Sequence, residues 1–178
     1  MTPHPLSRIV RRDSVPDDGL EVDIEATVQE RQALAGLLDI PAINSFSGKF
    51  HISPWRGKGL KVMGHVDADV EQTCVVTLDP VANKVSEDFE VYFLPEGASR
   101  PSAVTSGGEA DDRDIEELVG ERVDIGALAT EYVALGLDPY PRKPDAVFDQ
   151  GELGATNADE GAFAALAVLK GGRDGERS

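Results

Sequence analysis

The sequence contains a single cysteine, Cys74, among its 178 residues, and it has no long run of apolar residues. One thiol excludes an intramolecular disulfide framework and a zinc site built from several cysteines. A membrane-spanning helix needs about 20 consecutive apolar residues, and no segment approaches that length. The N-terminus has no apolar stretch before its arginines, so it does not have the form of a secretory signal. These absences predict a cytoplasmic protein.

Motifs for nucleotide binding and for nucleophilic catalysis are also lacking. There is no GxGxxG fingerprint and no P-loop, and Gly57-Lys58-Gly59 is too short to cradle a phosphate. The three histidines, His4, His51 and His65, show no recognisable spacing to Cys74 or to a serine. We therefore expect no catalytic residue, no enzymatic activity and no bound cofactor.

Acidic charge is abundant but unevenly distributed. The chain has 17 basic and 33 acidic residues, a net charge of −16. Up to Lys61 it carries eight basic and eight acidic residues, so the whole acidic excess follows that position. A net acidic charge disfavours non-specific binding to nucleic acid. The balanced first third of the chain is nevertheless able to form a local basic surface.

The longest pattern in the sequence is an alternation of small or apolar residues with polar ones, from Leu60 to Leu78. A period of two is typical of a β-strand with one buried face and one solvated face. Because these 19 residues exceed the usual length of a strand, we expect a bend or break near Asp67–Glu71. Cys74 falls on the apolar face, where a free cysteine behaves as a small hydrophobic residue, and this favours a structural role over a nucleophilic one.

Shorter patterns on either side predict the remaining elements. Leu20–Ala26 alternates as a strand, and Thr27-Val-Gln-Glu30 has the form of a capping box that opens a helix ending before Pro41. Further expected elements are strands at Leu6–Val10, Ala42–Ser53 and Val85–Leu94, a turn at Pro80–Asn83, and a helix over Ile125–Leu137 capped by Asp124. The expected fold class is α+β: an antiparallel β meander or partly closed barrel with one early helix and one or two C-terminal helices.

Composition divides the chain into three parts. We expect residues 1–95 and 120–140 to form a single α+β domain. Residues 96–119 are rich in Gly, Ser and acidic side chains, and they have too few apolar residues to fold alone, which predicts an acidic mobile loop. Residues 141–178 form a Pro/Gly-rich C-terminal segment with a short terminal helix expected over Glu160–Lys170.

One polar face of the long strand is a candidate metal site. His65, Asp67, Asp69 and Glu71 share that face. Alternate residues of a strand lie about 6.5–7 Å apart, so no more than two of them reach one ion without help from a neighbouring strand. A solvated polar face is the favoured interpretation, and we expect no metal ligand here.

The residues that precede the long strand are a candidate binding surface. The chain's only tryptophan, Trp55, lies among His51, Arg56, Lys58 and Lys61 on an expected hairpin turn. Proteins often hold single-stranded RNA by stacking aromatic rings on bases and pairing basic groups with phosphates. These five residues are the candidate contacts to RNA or to another partner. The alternative is an ordinary basic turn with Trp55 packed on the edge of the sheet.

Four stretches of the chain follow the order and spacing of one family's motifs: Gly64–Val81, Phe89–Phe93, Ala129–Pro144 and Gly161–Lys170. In these stretches the chain resembles the bacterial YceD family. Many members carry Cys-x-x-Cys-Leu at the central strand. Here Cys74 and Leu78 match that motif, whereas Thr77 replaces the second cysteine. Some members have another cysteine group near the C-terminus, where this chain has Pro141–Phe148 without cysteine.

The resemblance implies a role in ribosome biogenesis. Members of the family are described as large ribosomal RNA subunit accumulation proteins, needed for normal processing or stability of 23S rRNA. The expected function is therefore a non-enzymatic factor that supports 23S rRNA processing, stability or accumulation. Its expected partner is 23S rRNA or the pre-50S particle, reached directly or through assembly proteins, with no membrane and no small-molecule substrate.

Two other functions remain as hypotheses. The first is an acidic adaptor that uses Glu109–Asp114 to contact basic ribosomal or assembly proteins without touching RNA. The second is an RNA-processing hydrolase, which would need a metal site, whereas the sequence shows no convergent carboxylates.

Overall fold

The structure is a computed structural model, and it describes residues 4–98 and 114–147. All its helices and strands belong to the unit Met1–Asp145. Of a second unit, Ala146–Ser178, only residues 146 and 147 are described. The helix expected over Glu160–Lys170 and most of the acidic run Glu109–Asp114 therefore lie outside the described residues.

The described residues form seven strands and two α-helices. In chain order these are β1 (Ile9–Arg11), β2 (Leu20–Glu25), α1 (Val28–Leu37), β3 (Ala42–Trp55), β4 (Gly59–Thr73), β5 (Pro80–Pro95), β6 (Asp114–Leu118), β7 (Arg122–Asp124) and α2 (Ile125–Leu135). Strands β2 to β5 form an antiparallel meander, and β6 joins its end parallel to β5. β1 and β7 pair separately. The α+β class is confirmed, and the five-stranded sheet is open rather than closed into a barrel.

The central strand β4 is shorter than the alternation predicted. It ends at Thr73, and β5 begins at Pro80, so the turn lies at Cys74–Asp79 rather than at Pro80–Asn83. Of the bend or break expected near Asp67–Glu71, a break does not occur, because the register of β4 with β5 is continuous. The irregularity lies instead in the neighbouring strand β3, between Ile43 and Ser45, where a bulge shifts the register against β4.

The side of the sheet that packs against the helices, here called the covered face, carries the hydrophobic core. Its buried side chains from the sheet include Phe46, Phe50, Ile52, Val62, Val66, Val70, Phe89 and Val91. Leu34 of α1 and Leu128 and Val133 of α2 belong to the same core. The ring of Phe89 stacks on that of Tyr132 with centroids 3.8 Å apart and leaves no room for a Cβ at Gly64. A glycine is therefore required at that position of β4.

Both helices begin with the caps that the sequence predicts. At α1, the Thr27 hydroxyl accepts from the Glu30 amide at 3.3 Å, and the Thr27 amide donates to the Glu30 carboxylate at 2.8 Å. The guanidinium of Arg8 lies 2.8 Å from Glu30, and with the Thr27 amide it lowers the pKa of Glu30 to about 2. At α2, Asp124 accepts from the amides of Gly126 and Ala127.

Asp124 also fastens the N-terminal segment to α2. Its carboxylate accepts from the Ser7 hydroxyl at 2.5 Å and from the Arg8 amide at 2.7 Å. Burial opposes its ionisation, yet these donors lower the pKa of Asp124. One carboxylate thus caps a helix and holds a distant segment of the chain.

Strand β6 was not predicted, because its residues fall in the segment expected to be a mobile loop. It pairs with the last residues of β5, from Val91 to Pro95, and it buries Leu118. Its sequence, DIEEL, has too few apolar residues to show a period of two, so only the parallel pairing reveals it. The division into a domain, an acidic loop and a C-terminal segment otherwise stays a prediction.

Candidate functional site

The turn between β3 and β4 is tight and basic. It runs from Trp55 to Gly59, which pair directly across the two strands. Arg56 and Gly57 both adopt left-handed backbone conformations, with φ of 44° and 73°. The side chains of Arg56 and Lys58 are exposed on this turn. Two positive charges therefore project from the end of the sheet.

Two aromatic rings, those of Trp55 and Tyr92, lie next to this turn. Trp55 packs on Tyr92 of β5 with ring centroids 4.5 Å apart and an interplanar angle of 52°. The guanidinium of Arg56 lies 4.8 Å from the centroid of Trp55, and Nζ of Lys61 lies 5.5 Å from that of Tyr92. Both distances are typical of cation–π contacts. Trp55 is only half-buried, so it packs on the sheet and still exposes part of its ring.

A fourth basic group reaches this turn from the N-terminal segment. Arg12 donates from Nη2 to the carbonyl oxygen of Gly57 at 2.7 Å. Its Nε is buried without a hydrogen-bond partner among the described residues. We call the resulting cluster the basic–aromatic end, and its members are Arg12, Trp55, Arg56, Lys58, Lys61 and Tyr92.

Sequence reasoning missed Arg12 and Tyr92. Tyr92 lies directly opposite Lys61 in the register of β4 and β5, and Arg12 lies 45 residues before the carbonyl that it contacts. Neither proximity has a local signal in the sequence. The strand register, once known, is the observation that identifies Tyr92.

Lys61 forms the border of the basic–aromatic end. Its Nζ lies 2.7 Å from a carboxylate oxygen of Glu90, and this hydrogen bond raises the pKa of Lys61. The Tyr92 hydroxyl donates to the same carboxylate. Lys61 is therefore less available to an external anion than Arg56 or Lys58.

His51, the remaining candidate from the sequence, does not join the basic–aromatic end. It lies on β3 opposite Met63, and its Nδ1 is 2.6 Å from a carboxylate oxygen of Glu21. Among the five predicted residues, the structure thus brings together Trp55, Arg56, Lys58 and Lys61 at one end of the sheet.

His51 belongs to the solvent side of the sheet, here called the open face, which consists of the outward side chains of β2 to β5. It carries three lysines and eight carboxylates: Lys49, Lys61 and Lys84, with Glu21, Asp23, Glu25, Asp67, Asp69, Glu71, Asp88 and Glu90. The open face is therefore strongly acidic, whereas the basic–aromatic end beside it is not.

The polar side chains of β4 that were considered as metal ligands, His65, Asp67, Asp69 and Glu71, lie on this acidic open face. His65 is held between two carboxylates, with Nδ1 2.7 Å from Asp88 and Nε2 3.0 Å from Asp67. The hydrogen bond with Asp88 is the main cause that raises the pKa of His65. Asp69 instead bonds to Ser45 at 2.7 Å. Within residues 4–98 and 114–147, no group of three or more His, Cys, Asp or Glu side chains is arranged to hold a metal ion.

Cys74 is buried, but in the turn after β4 rather than in the strand. The alternation ends there, since Leu78 is 77% exposed with a left-handed φ of 61°. Hydrogen bonds from the Thr77 side chain and from the backbone amides of Lys143, Thr77 and Val76 lower the pKa of the Cys74 thiol to about 6.

The segment after α2 encloses this turn. The Val75 amide donates to the Pro141 carbonyl at 2.9 Å, and Lys143 bonds to Asp79 at 2.9 Å. This clamp keeps the thiol away from solvent although its pKa favours the thiolate. The geometry agrees with a structural role, because a nucleophile needs access to its substrate.

The part of the sequence that includes most of β4, the Cys74 turn, β5 and α2 matches a known protein family. The profile described as "Large ribosomal RNA subunit accumulation protein YceD" matches residues 62–170. The chain belongs to the YceD family. No curated protein and no solved structure matches the chain. The family description relates the protein to accumulation of the RNA of the large ribosomal subunit.

The extent of the YceD match bears on the site. It begins at Val62, directly after Lys61, and therefore includes Tyr92 and the Cys74 turn but not Trp55–Lys61. The basic turn is thus a feature of this chain that family membership does not itself explain.

Among the described residues, no helix has the length and apolar character required to cross a membrane.

Proposed function

We propose that the protein is a non-enzymatic, cytoplasmic factor that supports 23S rRNA processing, stability or accumulation by binding single-stranded rRNA at its basic–aromatic end. The observation that carries the proposal is the Trp55–Tyr92 ring pair at a turn that carries Arg56 and Lys58 and is contacted by Arg12. Membership of the YceD family supports the ribosomal context.

The chemistry of this cluster suits an unpaired strand. The accessible part of the half-buried indole can stack only on bases that are not already stacked in a duplex, and stacking contributes about 1–3 kcal/mol per base. The guanidinium of Arg56 lies next to the ring, and Lys58 is exposed on the same turn, so both cations are available to pair with phosphates. Arg12 is anchored to the turn by its bond to Gly57, so it adds positive potential without needing to move.

The rival function is an adaptor that contacts basic ribosomal or assembly proteins without touching RNA. The acidic loop that motivated this hypothesis lies outside the described residues, apart from Asp114. The acidic open face is the structural observation that favours a protein partner. The two functions differ in whether RNA affinity depends on the basic turn.

The direct test replaces Arg56, Lys58 and Lys61 together by alanine. We expect the affinity for a fluorescent single-stranded fragment of 23S rRNA to fall by roughly tenfold to a hundredfold. The slope of log affinity against log salt should become shallower by about 2, since each lost phosphate contact on a single strand accounts for about 0.7. Fluorescence anisotropy at several salt concentrations measures both quantities.

The matched control removes three exposed basic residues elsewhere: Lys84→Ala, Arg122→Ala and Arg142→Ala. It changes the net charge by the same amount and should change RNA affinity by less than about threefold. If the turn variant keeps its circular dichroism spectrum and its RNA affinity, direct binding at this end is disproved. Crosslinking in cells that recovers only proteins would then support the adaptor.

A further inference from the structure

The open face carries a second binding surface. We propose that it docks an extended, lysine- and arginine-rich segment of a basic protein, because two rows of side chains place carboxylates on both sides of a depression in the sheet surface. This inference concerns a different surface and partner from the RNA site, and it does not depend on RNA binding there.

The rows follow from the register of the four antiparallel strands. One row consists of Glu21, His51, Met63 and Glu90, and the next of Asp23, Lys49, His65 and Asp88. In each row the carboxylates come from β2 and β5, the outer strands of the meander. The side chains of the inner strands β3 and β4 therefore lie between two acidic borders.

A depression of about 540 Å³ lies between these borders. Met63, which is 39% exposed, and Gly64 form part of its floor together with Lys49, His51 and His65. Glu21, Asp88 and Glu90 form part of its rim. The aliphatic stem of a lysine or arginine can pack on Met63 and Gly64 while its cation reaches a carboxylate at the rim. The side chains of Glu21 and Asp88 are 78% and 87% exposed, so they are accessible to an incoming cation.

The spacing suits an extended partner that runs along the strands. Alternate residues of β4 lie about 6.5–7 Å apart, as do alternate residues of any extended chain. Basic side chains at alternate positions of the partner would therefore meet successive rows. Asp23 and Glu25 form no ion pair within the part of the chain that the structure describes, and they offer two unneutralised partners on the β2 side.

Charge complementarity favours a basic protein segment on the open face over RNA, a second copy of the chain or the chain's own remaining segments. The acidic surface repels RNA phosphates and repels the same face of a second copy. The two internal and C-terminal segments outside the described residues also lack the excess of basic side chains that the open face would attract. Residues 99–113 carry two basic and three acidic side chains, and residues 148–178 carry three basic and six acidic ones. A partner with excess lysine and arginine is the one that the face attracts.

The test uses the full chain and a fluorescent peptide in which lysine or arginine alternates with alanine. The open-face variant combines Glu21→Gln, Asp23→Asn and Asp88→Asn, and its control combines Glu96→Gln, Glu121→Gln and Asp145→Asn, which are exposed elsewhere. We expect the open-face variant to bind the peptide about tenfold more weakly and the control to change affinity less than about twofold.

Three results would overturn the proposal. The first is equal weakening by both variants, which would show an effect of net charge alone. The second is unchanged affinity in an open-face variant with a native circular dichroism spectrum. The third is competition between single-stranded RNA and the peptide together with loss of RNA affinity in the open-face variant, which would make the face an RNA surface. Unchanged peptide affinity in a variant that combines Arg56→Ala with Lys58→Ala would separate this site from the RNA site.

Discussion

The two faces of the sheet are built from the same strands but carry opposite kinds of side chain. On the covered face, the residues of β3, β4 and β5 are almost all apolar and inaccessible, from Phe46 to Val91. On the open face, the intervening residues are charged or polar, and most are exposed. A single alternation therefore separates the side chains that form the core from those that face solvent.

This separation makes binding experiments on the open face interpretable. Exposed ion pairs such as Lys84–Asp69 contribute only about 0–1 kcal/mol to stability. Burial of a large apolar side chain contributes several times more. Substitutions on the open face should consequently change affinity while the fold persists.

The largest expected effect is a loss of stability, and it compares Phe50 on the covered face with Met63 on the open face. Phe50, on the covered face, is 1% exposed, and its ring centroid lies 6.0 Å from that of Phe89. Phe50→Ala should lower the free energy of unfolding by about 3–5 kcal/mol because it leaves a cavity in the core. Met63→Ala, on the open face, should lower it by less than about 1 kcal/mol. Urea denaturation measures both, and equal losses would show that the open face is also part of the core.

Much of this two-sided sheet is predictable from the sequence, because the alternation of apolar and polar residues along a strand follows the burial of its side chains. The alternation from Leu60 onward predicted which residues of β4 are buried, and Thr27, Glu30 and Asp124 cap the helices as expected. These signals are local. Each depends on side chains and backbone groups within a few residues of one another.

The rest depends on contacts between distant parts of the chain. β6 becomes a strand only because the end of β5 offers it backbone partners. Cys74 lies in a turn because Leu78 adopts a left-handed conformation and Pro141 holds the neighbouring amide. The basic–aromatic end needs Arg12 and Tyr92 beside Trp55, and no pattern within the turn indicates either.

A smaller effect is expected at the border between the two binding surfaces. Glu90 neutralises Lys61 of the basic–aromatic end and also forms part of the rim on the open face. Glu90→Gln should strengthen RNA binding about twofold to fivefold and weaken peptide binding by a similar factor, because it removes one negative charge from between them. Parallel anisotropy titrations with the two probes measure these changes. Effects of the same sign on both would show that the surfaces are not electrically distinct.

The smallest expected effect concerns His65 at the centre of the open face. Asp88 on β5 and Asp67 on its own strand favour its protonated form, while burial opposes it, and the net result is a raised pKa. The stability that comes from this pairing is therefore fully present below the ordinary pKa of about 6.5 and is lost as pH rises through the raised value. The free energy of unfolding should fall slightly as pH rises above about 6.5 in the native protein, and this fall should be smaller in His65→Asn. The same deprotonation makes the open face more acidic, so peptide affinity should rise over the range in which stability falls. Opposite pH trends in the two quantities would tie His65 to binding, whereas a peptide affinity independent of pH would show that the partner does not contact this row.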